Sequence, residues 1–451
     1  MKSKKCTRRR FISSMAGAAL LLPPAAFSRG ATFPANERVN LGHIGVGGRG
    51  MSLLNSFLQL DGSQSVAVCD PFLSRREQSA ARIESFYSTK KGSSFRGVRR
   101  FHDFRELLLQ PDIDAVVIAT PDHWHVPIAL AAVRAGKDLY VEKPLGVSVA
   151  ENRFLRRAIL DYGRVFQYGT QQRSGRDFRF ACELVRNGRI GELFSIHAWC
   201  PEIATQEVYF HEPGGSMTPS VTPPGFDYDL WLGPAPWSPY TKDRCTCYGS
   251  YHHYDNSLGF IAGWGAHPLD IAQWGNDSDE TAPISYQGSG EIASTGLYNT
   301  ISAWDVNCIY ANGVELRFMS QAWARSLVES YHPNFNNHGT TFLGSEGWVS
   351  VDRSGIWARP ESLLAERVQP DQVRLTESTN HYQNFISAVR TRHQTVSPIK
   401  AAVQSDIICQ LADIAVRKQR PIRWDPENET VINDAGAERM LRRSMRAAWV
   451  L

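Results

Sequence analysis

Apolar and polar positions in the first part of the chain switch repeatedly between two periods. Residues 40–46 form an apolar run, residues 51–60 carry apolar side chains at helical spacing, and residues 65–69 form a second apolar run closed by Asp70. That order predicts strand, helix, strand, with Gly45-Val46-Gly47-Gly48-Arg49-Gly50 in the first turn. A polar, insertion-like stretch at 87–99 follows, and then the pattern resumes. A β-branched strand is predicted at 115–119, a helix at 123–135 ended by Gly136, and a strand at 138–141 running into Glu142-Lys143-Pro144. A helix at 149–162, a strand at 164–168 and a helix at 175–187 complete this half. Strands alternating with helices predict an α/β fold, a Rossmann doubly wound parallel sheet of at least four strands.

The pattern then changes. Residues 193–200 alternate, residues 303–319 read as two strands around the turn Asn312-Gly313, and residues 340–351 are strand-rich, which predicts a second, mostly antiparallel sheet. Between them, residues 201–256 are aromatic and rich in Pro and Gly, a length that inside a compact domain marks function or an interface. Two amphipathic helices are predicted within 382–417, packing back beside the first sheet.

Composition adds a leader and removes some partners. The chain has 451 residues, with 42% apolar and 21% charged side chains, which is globular composition and length for two or three domains. Its formal charge of +4 misleads, because residues 1–30 hold seven bases and no acid. The remainder is slightly acidic, so nothing in it predicts a nucleic-acid partner. Thr7-Arg8-Arg9-Arg10-Phe11-Ile12 precedes a short apolar run and Pro23-Pro24-Ala25-Ala26, the order of a twin-arginine (Tat-type) signal peptide, so a periplasmic or otherwise exported location is expected. No stretch approaches the roughly 20 apolar residues of a membrane span. Of the seven cysteines after the leader, only Cys245 and Cys247 lie close in sequence, and the others sit in apolar runs that predict buried thiols. The domains are therefore read as 1–30 signal, 36–165 dinucleotide-binding, 166–395 substrate and oligomerisation, and 396–451 helical tail.

The glycine turn carries chemistry because Gly45 permits the bend, Gly47 lets backbone approach a pyrophosphate, and Gly50 lets the helix pack closely. Gly48 and Arg49 belong to the same turn. Asp70, twenty residues beyond Gly50, is placed to accept from a ribose hydroxyl, which predicts NAD rather than NADP although Arg75 and Arg76 follow closely. Ligands of such sheets gather at the carboxyl ends of the strands, so Thr120-Pro121-Asp122-His123-Trp124-His125 and Glu142-Lys143 belong on the ligand rim. Trp231, Tyr251 and His253 head an aromatic inventory suited to sugar rings. His123 with His125 and His252 with His253 lack further ligands in sequence, so no metal is predicted.

These motifs, with Ala135-Gly136-Lys137, Trp231-Leu232-Gly233-Pro234, residues 263–274 and Arg423-Trp424-Asp425-Pro426, resemble the glucose–fructose oxidoreductase / inositol dehydrogenase / MocA family, in a Tat-exported bacterial branch. The resemblance covers nearly all of the chain after the leader. It implies a Rossmann domain followed by an α/β domain with a large open-faced sheet, a homo-oligomer, and hydride transfer between a carbohydrate and a tightly held nicotinamide. It also implies that Thr120, Pro121, His123, His125 and Glu142 contact cofactor or substrate, that Lys143 orients the reacting oxygen, and that His267 takes the hydroxyl proton. Asp270, one helical turn after His267, either orients it or is an acid of the helix surface. Family dehydrogenases place an aspartate four residues before the histidine, where this chain has Gly263. Asp270, Tyr251 or His253 then replaces it, or the chemistry is altered. Three functions follow as expectations: a sugar, polyol or glycoside oxidoreductase; a redox-neutral glycosidase or lyase that oxidises, eliminates and re-reduces; and a non-catalytic sugar-binding protein that retains NAD.

Overall fold

The computed structural model describes residues 38–203, 214–246, 249–292, 296–332 and 334–449. The expected leader, and Tyr209, His211 and Cys247 of the long loop, lie outside the described residues.

The first sheet contains β1 (Val39–Ile44), β2 (Ser63–Cys69), β3 (Arg99–Phe101), β4 (Ala115–Ile118), β5 (Asp138–Val141) and β6 (Phe166–Tyr168). All six strands are parallel, in the order β3-β2-β1-β4-β5-β6. The strand order reverses between β1 and β4, and a crevice opens beyond their carboxyl ends. Helices α1 (Gly48–Leu58), α2 (Leu73–Lys91), α3 (Phe104–Leu108), α4 (His125–Arg134) and α5 (Val149–Tyr162) connect the strands. The fully apolar strand Ala115–Ile118 is buried at every position, as a central parallel strand with both faces covered must be.

Helix α2 was not predicted, and its end runs into the first residues, 87–91, of the stretch read as a polar insertion. Its buried residues are only Ser79, Ala80, Ile83 and Tyr87, a stripe one side chain wide, so the apolar signal in sequence is too thin to register. Gly92, at φ +65°, ends it.

After α6 (Arg176–Arg186), the second sheet begins with β7 (Leu193–Cys200). Helices α7 (Tyr228–Leu232), α8 (Phe260–Gly263) and α9 (Ala266–Gly275) precede β8 (Ser285–Ile292), β9 (Ile301–Ile309) and β10 (Glu315–Ser320). Helix α10 (Gln321–Glu329) is followed by β11 (Gly339–Gly344), β12 (Gly347–Asp352) and β13 (Gly355–Arg359), then by helices α11 (His381–Thr391) and α12 (Ile399–Lys418) and strands β14 (Ile422–Asp425) and β15 (Thr430–Val431). The nine strands run in the order β13-β12-β11-β7-β10-β9-β8-β14-β15, and every neighbouring pair is antiparallel except β7 with β10. Ile196, Ala198 and Cys200 of β7 enter the core, while Ser195, His197 and Trp199 alternate to the other face.

The two returning helices differ in how they pack. Helix α11 lays Phe385, Ile386 and Val389 against Leu41 and Phe57 beside β1 and α1. In α12, every residue except Lys400, Arg417 and Lys418 is buried, so it is a central element and not an amphipathic cover. Its Asp406 accepts hydrogen bonds from Leu145 N at 3.2 Å and Asn152 Nδ2 at 2.6 Å, tying it to the loop that carries Lys143. Among the described residues, no helix is long and apolar enough to cross a membrane.

Candidate functional site

The first turn of the parallel sheet forms one wall of the site. Gly45 has φ +80°, and a Cβ there would lie 2.7 Å from the carbonyl oxygen of Ala119 on the neighbouring strand. A Cβ at Gly50 would lie 2.0 Å from the carbonyl oxygen of Gly45, so both positions need glycine for the turn to close. The amino end of α1 then faces the crevice, where its free N–H groups and dipole favour an anion. Asp70 accepts from Val46 N at 2.9 Å and from Phe72 N at 3.0 Å, which clamps the second strand to the glycine turn. Burial raises its proton affinity, and Arg75 works against that rise.

These residues border a cleft of about 920 Å³, open to solvent. Gly45, Gly47, Gly48, Arg49, Asp70, Thr120 and Pro121 line it on the parallel-sheet side, and Trp231 and Tyr251 line it on the other. Thr120 Oγ1 is buried and finds no hydrogen-bond partner among the described residues. A glycine cradle, a helix amino end, an acid at the second strand and an unpaired hydroxyl are the donor and acceptor set a dinucleotide requires, and these residues fit NAD.

Glu142 and Lys143 leave β5 in opposite environments. The Glu142 carboxylate is paired with Arg49, Nε at 2.8 Å and Nη2 at 2.7 Å, across the end of β4. Burial alone would push this carboxyl up, but Arg49 and Lys143 hold it below the ordinary range. Lys143 Nζ donates to the carbonyl oxygen of Gly263 at 2.6 Å and lies 5.6 Å from the centroid of the Tyr251 ring. Burial lowers its proton affinity, while Glu142 and Asp122 raise it. Lys143 Nζ thus lies over the face of the Tyr251 ring, which itself lines the cleft.

His267 lies four residues beyond the carbonyl that holds Lys143, in the first turn of α9. Its Nδ1 is buried without a hydrogen-bond partner among the described residues. Burial, then Lys143 and Arg353, press its proton affinity well below the usual histidine range, so the imidazole is neutral at pH 7. Gly263 itself is in contact with an aromatic ring: a Cβ there would lie 3.0 Å from two ring carbons of Tyr251. The ring occupies the space into which a side chain at 263 would project.

Several expected site residues are placed elsewhere. Asp270 does not orient His267; it is a fully buried carboxylate accepting from Arg173 Nε and Nη2, both at 2.8 Å, and from Ser405 Oγ at 3.2 Å. The spacing would allow the two side chains to meet, but the carboxylate is taken by the buried Arg173 guanidinium, which outcompetes an uncharged imidazole. His123 points away from the cleft, with Nε2 3.1 Å from the carbonyl oxygen of Trp231 and Nδ1 3.3 Å from Asn256 Nδ2. His125 braces two strand ends, 2.7 Å from Pro144 O and 2.9 Å from Thr120 O, which leaves neither ring nitrogen for a ligand. His253 meets Arg244 Nη1 at 2.9 Å and does not line the cleft. Among the described residues, no group of three His, Cys, Asp or Glu side chains is arranged to hold a metal. The described cysteines are all buried and unpaired.

Asp122, placed on the ligand rim by its motif but given no role of its own, and Arg353, which the sequence did not single out, are members of the site. Asp122 is buried in the cleft wall, and Ser257 Oγ donates to its Oδ2 at 2.5 Å. Its position inside the motif at 120–125 was the available signal. Arg353 comes from the turn between β12 and β13, with its guanidinium 5.2 Å from the Trp264 ring, and nothing in Asp352-Arg353-Ser354-Gly355 announces a role.

Comparison with known proteins agrees with this geometry. The family model described as oxidoreductase family, NAD-binding Rossmann fold, matches residues 39–170. The companion C-terminal alpha/beta domain matches residues 203–324 and 365–451. A glycosyl hydrolase family 109 protein of Stenotrophomonas maltophilia is 31% identical over 238 residues, 51% of this chain and 48% of that protein. An alpha-N-acetylgalactosaminidase of Shewanella oneidensis is 32% identical over 164 residues, 36% of this chain and 34% of that protein. The matched region thus spans about half or less of these curated relatives. Among solved structures, an oxidoreductase domain protein from Kribbella flavida superposes with a TM-score of 0.61 at 17% identity, covering 85% of this chain and 98% of that one. A scyllo-inositol dehydrogenase from Lactobacillus casei, solved with NAD(H) and scyllo-inositol, gives 0.56 at 15% identity, covering 86% and 99%.

Proposed function

The chain belongs to the Gfo/Idh/MocA oxidoreductase family, and from that premise we propose that it is an exported, NAD-dependent enzyme acting on a carbinol of a sugar, polyol or glycoside. One observation carries this reading. The ammonium of Lys143 is held 2.6 Å from the carbonyl oxygen of Gly263, four residues before a neutral His267 whose Nδ1 finds no partner among the described residues. A hydrogen-bond donor and a proton acceptor therefore stand together beside a dinucleotide cleft.

When bound, NAD supplies a hydride acceptor that can also return the hydride. Lys143 donates to the substrate oxygen, and His267 Nδ1 receives the hydroxyl proton; a positioned base of this kind contributes about 10²–10⁴ in rate. Trp231 and Tyr251 present aromatic faces to the sugar on the side of the cleft opposite the glycine turn.

A redox-neutral glycosidase is the second reading, favoured by the names of the curated relatives, glycosyl hydrolase family 109 protein and alpha-N-acetylgalactosaminidase. In that cycle, transient oxidation would acidify the neighbouring C–H, loss of that proton and of the aglycone would leave an enone, water would add at the anomeric carbon with return of a proton to its neighbour, and the hydride would then return to the ketone. Export through the twin-arginine route suits either reading, because an enzyme that leaves the cytoplasm folded carries its cofactor with it. Assembly as a homo-oligomer through the open face of the second sheet belongs to the same proposal.

Denaturing the purified protein and measuring the nicotinamide released tests the shared premise. Incubation with aryl glycosides, including N-acetylgalactosaminides, then divides the readings: a keto-sugar product supports net oxidation, and aglycone release without net NADH supports the glycosidase. Protein that neither carries nor binds NAD would overturn both. Replacing Arg8 and Arg9 by Lys should retain the protein in the cytoplasm, and unchanged export would remove the twin-arginine assignment.

A further inference from the structure

We propose that Asp122 is a positioning residue that keeps Lys143 an ammonium beside the cleft, with Ser257 fixing the carboxylate that does so. The proposal rests on the role given to Lys143 above.

Strands β4 and β5 are adjacent and parallel, with Ile118 opposite Val141. The turns that carry Asp122 and Lys143 therefore leave the sheet side by side. Asp122 Oδ2 accepts from Ser257 Oγ at 2.5 Å. Ser257 Oγ itself accepts the N–H of Gly259 at 3.1 Å, so its single proton is committed to the carboxylate. From Gly259 the chain enters α8, and the carbonyl of Gly263 at the other end of that helix receives Lys143 Nζ. One short segment thus pins the carboxylate at its start and the ammonium at its end.

The charges around Lys143 leave a part for Asp122 to play. Glu142, Asp122, Arg49 and Arg353 all act on the ammonium, and the His267 imidazole lies within its field. Glu142 is already paired with Arg49. Asp122 accepts from a neutral hydroxyl, so its negative charge is the one not cancelled by a cation of its own. The other charged group acting on Asp122 is Asp406, a like charge from α12. Burial, opposed by Ser257 and Lys143, brings the Asp122 carboxyl up to about 7.

The test is a ¹³C NMR titration of the full-length, NAD-loaded protein labelled at lysine Cε, with the Lys143 signal assigned by its absence in K143R. In D122N the Lys143 midpoint should fall by about one pH unit, the effect of removing a nearby opposite charge. D122A removes the same charge with less bulk and should give the same shift if D122N folds poorly. D122E restores the charge and should return the midpoint toward that of the parent protein. The limb of the rate–pH profile that tracks Lys143 should move toward acid by the same amount. An unchanged midpoint in a folded, NAD-loaded D122N or D122A protein would overturn the proposal. The titration needs no substrate, so failure to turn over any carbohydrate would sink the functional reading and leave this result to stand or fall separately.

Discussion

Lys143 and Gly263 are joined by a 2.6 Å hydrogen bond from the ammonium to the backbone carbonyl, across the boundary between the two sheets. The contact requires nothing of the side chain at 263. What requires glycine there is Tyr251, whose ring lies where a Cβ would approach to 3.0 Å.

Restoring a side chain at 263 should therefore do harm. Gly263→Asp has to displace the Tyr251 ring from the cleft wall, and Gly263→Ala has to shift it by a few tenths of an ångström. Overpacking of this kind costs about 1–3 kcal/mol. Both variants should melt below the parent protein and turn over more slowly, with Asp the worse of the two. A Gly263→Asp protein of equal stability and higher rate would show that the aspartate is accommodated.

Lys143→Ala should retain its bound NAD and lose at least 10²-fold in turnover, because a hydrogen-bond donor to the reacting oxygen is removed while the glycine cradle is untouched. Cofactor content by absorbance after denaturation, measured beside initial rates, separates the two effects. An unchanged rate would remove Lys143 from the site.

Asp270→Asn tests a structural ion pair. It leaves the Arg173 guanidinium, 2% exposed, with only Asp279 as a charged partner. Breaking a buried pair costs about 3–5 kcal/mol. Chemical denaturation should show a loss of that order, while turnover at low temperature changes little because His267 makes no contact with this carboxylate. A large fall in turnover at unchanged stability would restore Asp270 to the reaction.

Stability should fall as pH drops from about 6.5 to about 4. Burial lowers seven histidines to about 3 or about 4, namely His43, His123, His197, His252, His253, His338 and His381. In that window the unfolded chain binds protons at these positions and the folded chain does not, so acid favours unfolding. Burial also raises Asp122 and Glu151 to about 7 and Asp406 to about 6, and these carboxyls favour the folded state in acid. The histidines outnumber them, which sets the net sign. Melting temperatures recorded across the range should decline toward acid; a flat or rising curve would contradict the burial assigned to these rings.

Gly50→Ala should abolish NAD binding. Its Cβ would lie 2.0 Å from the Gly45 carbonyl oxygen, a backbone atom that can move only by opening the turn. Titration of the purified variant with NAD by calorimetry should give no heat, and affinity like that of the parent protein would mean that the cradle is not formed by this turn.

The parallel sheet was legible because its strands are short apolar runs bounded by turn chemistry, and the glycine turn was legible because the spacing of its glycines is a backbone requirement. Helix α2 was not, since only one narrow stripe of it is buried. Strand β8, Ser-Tyr-Gln-Gly-Ser-Gly-Glu-Ile, carries mostly polar residues on both faces and owes its place to neighbours β9 and β14, not to its own pattern. Helix α12 reads as amphipathic but is buried on nearly all sides, because elements distant in sequence cover its second face.

What the chain by itself determined is local: alternation of strand and helix, the glycine cradle, the acid closing the second strand, and a lysine placed at a strand end. Only the tertiary structure decided which side chains meet. It sent Asp270 to Arg173 instead of His267, filled the space beside Gly263 with Tyr251, turned His123 away from the cleft, joined Ser257 to Asp122, and brought Arg353 to the site. Backbone preferences act over a few residues and leave a signature in sequence. Charge pairing and the filling of space are settled between residues on different elements, where no spacing rule reaches.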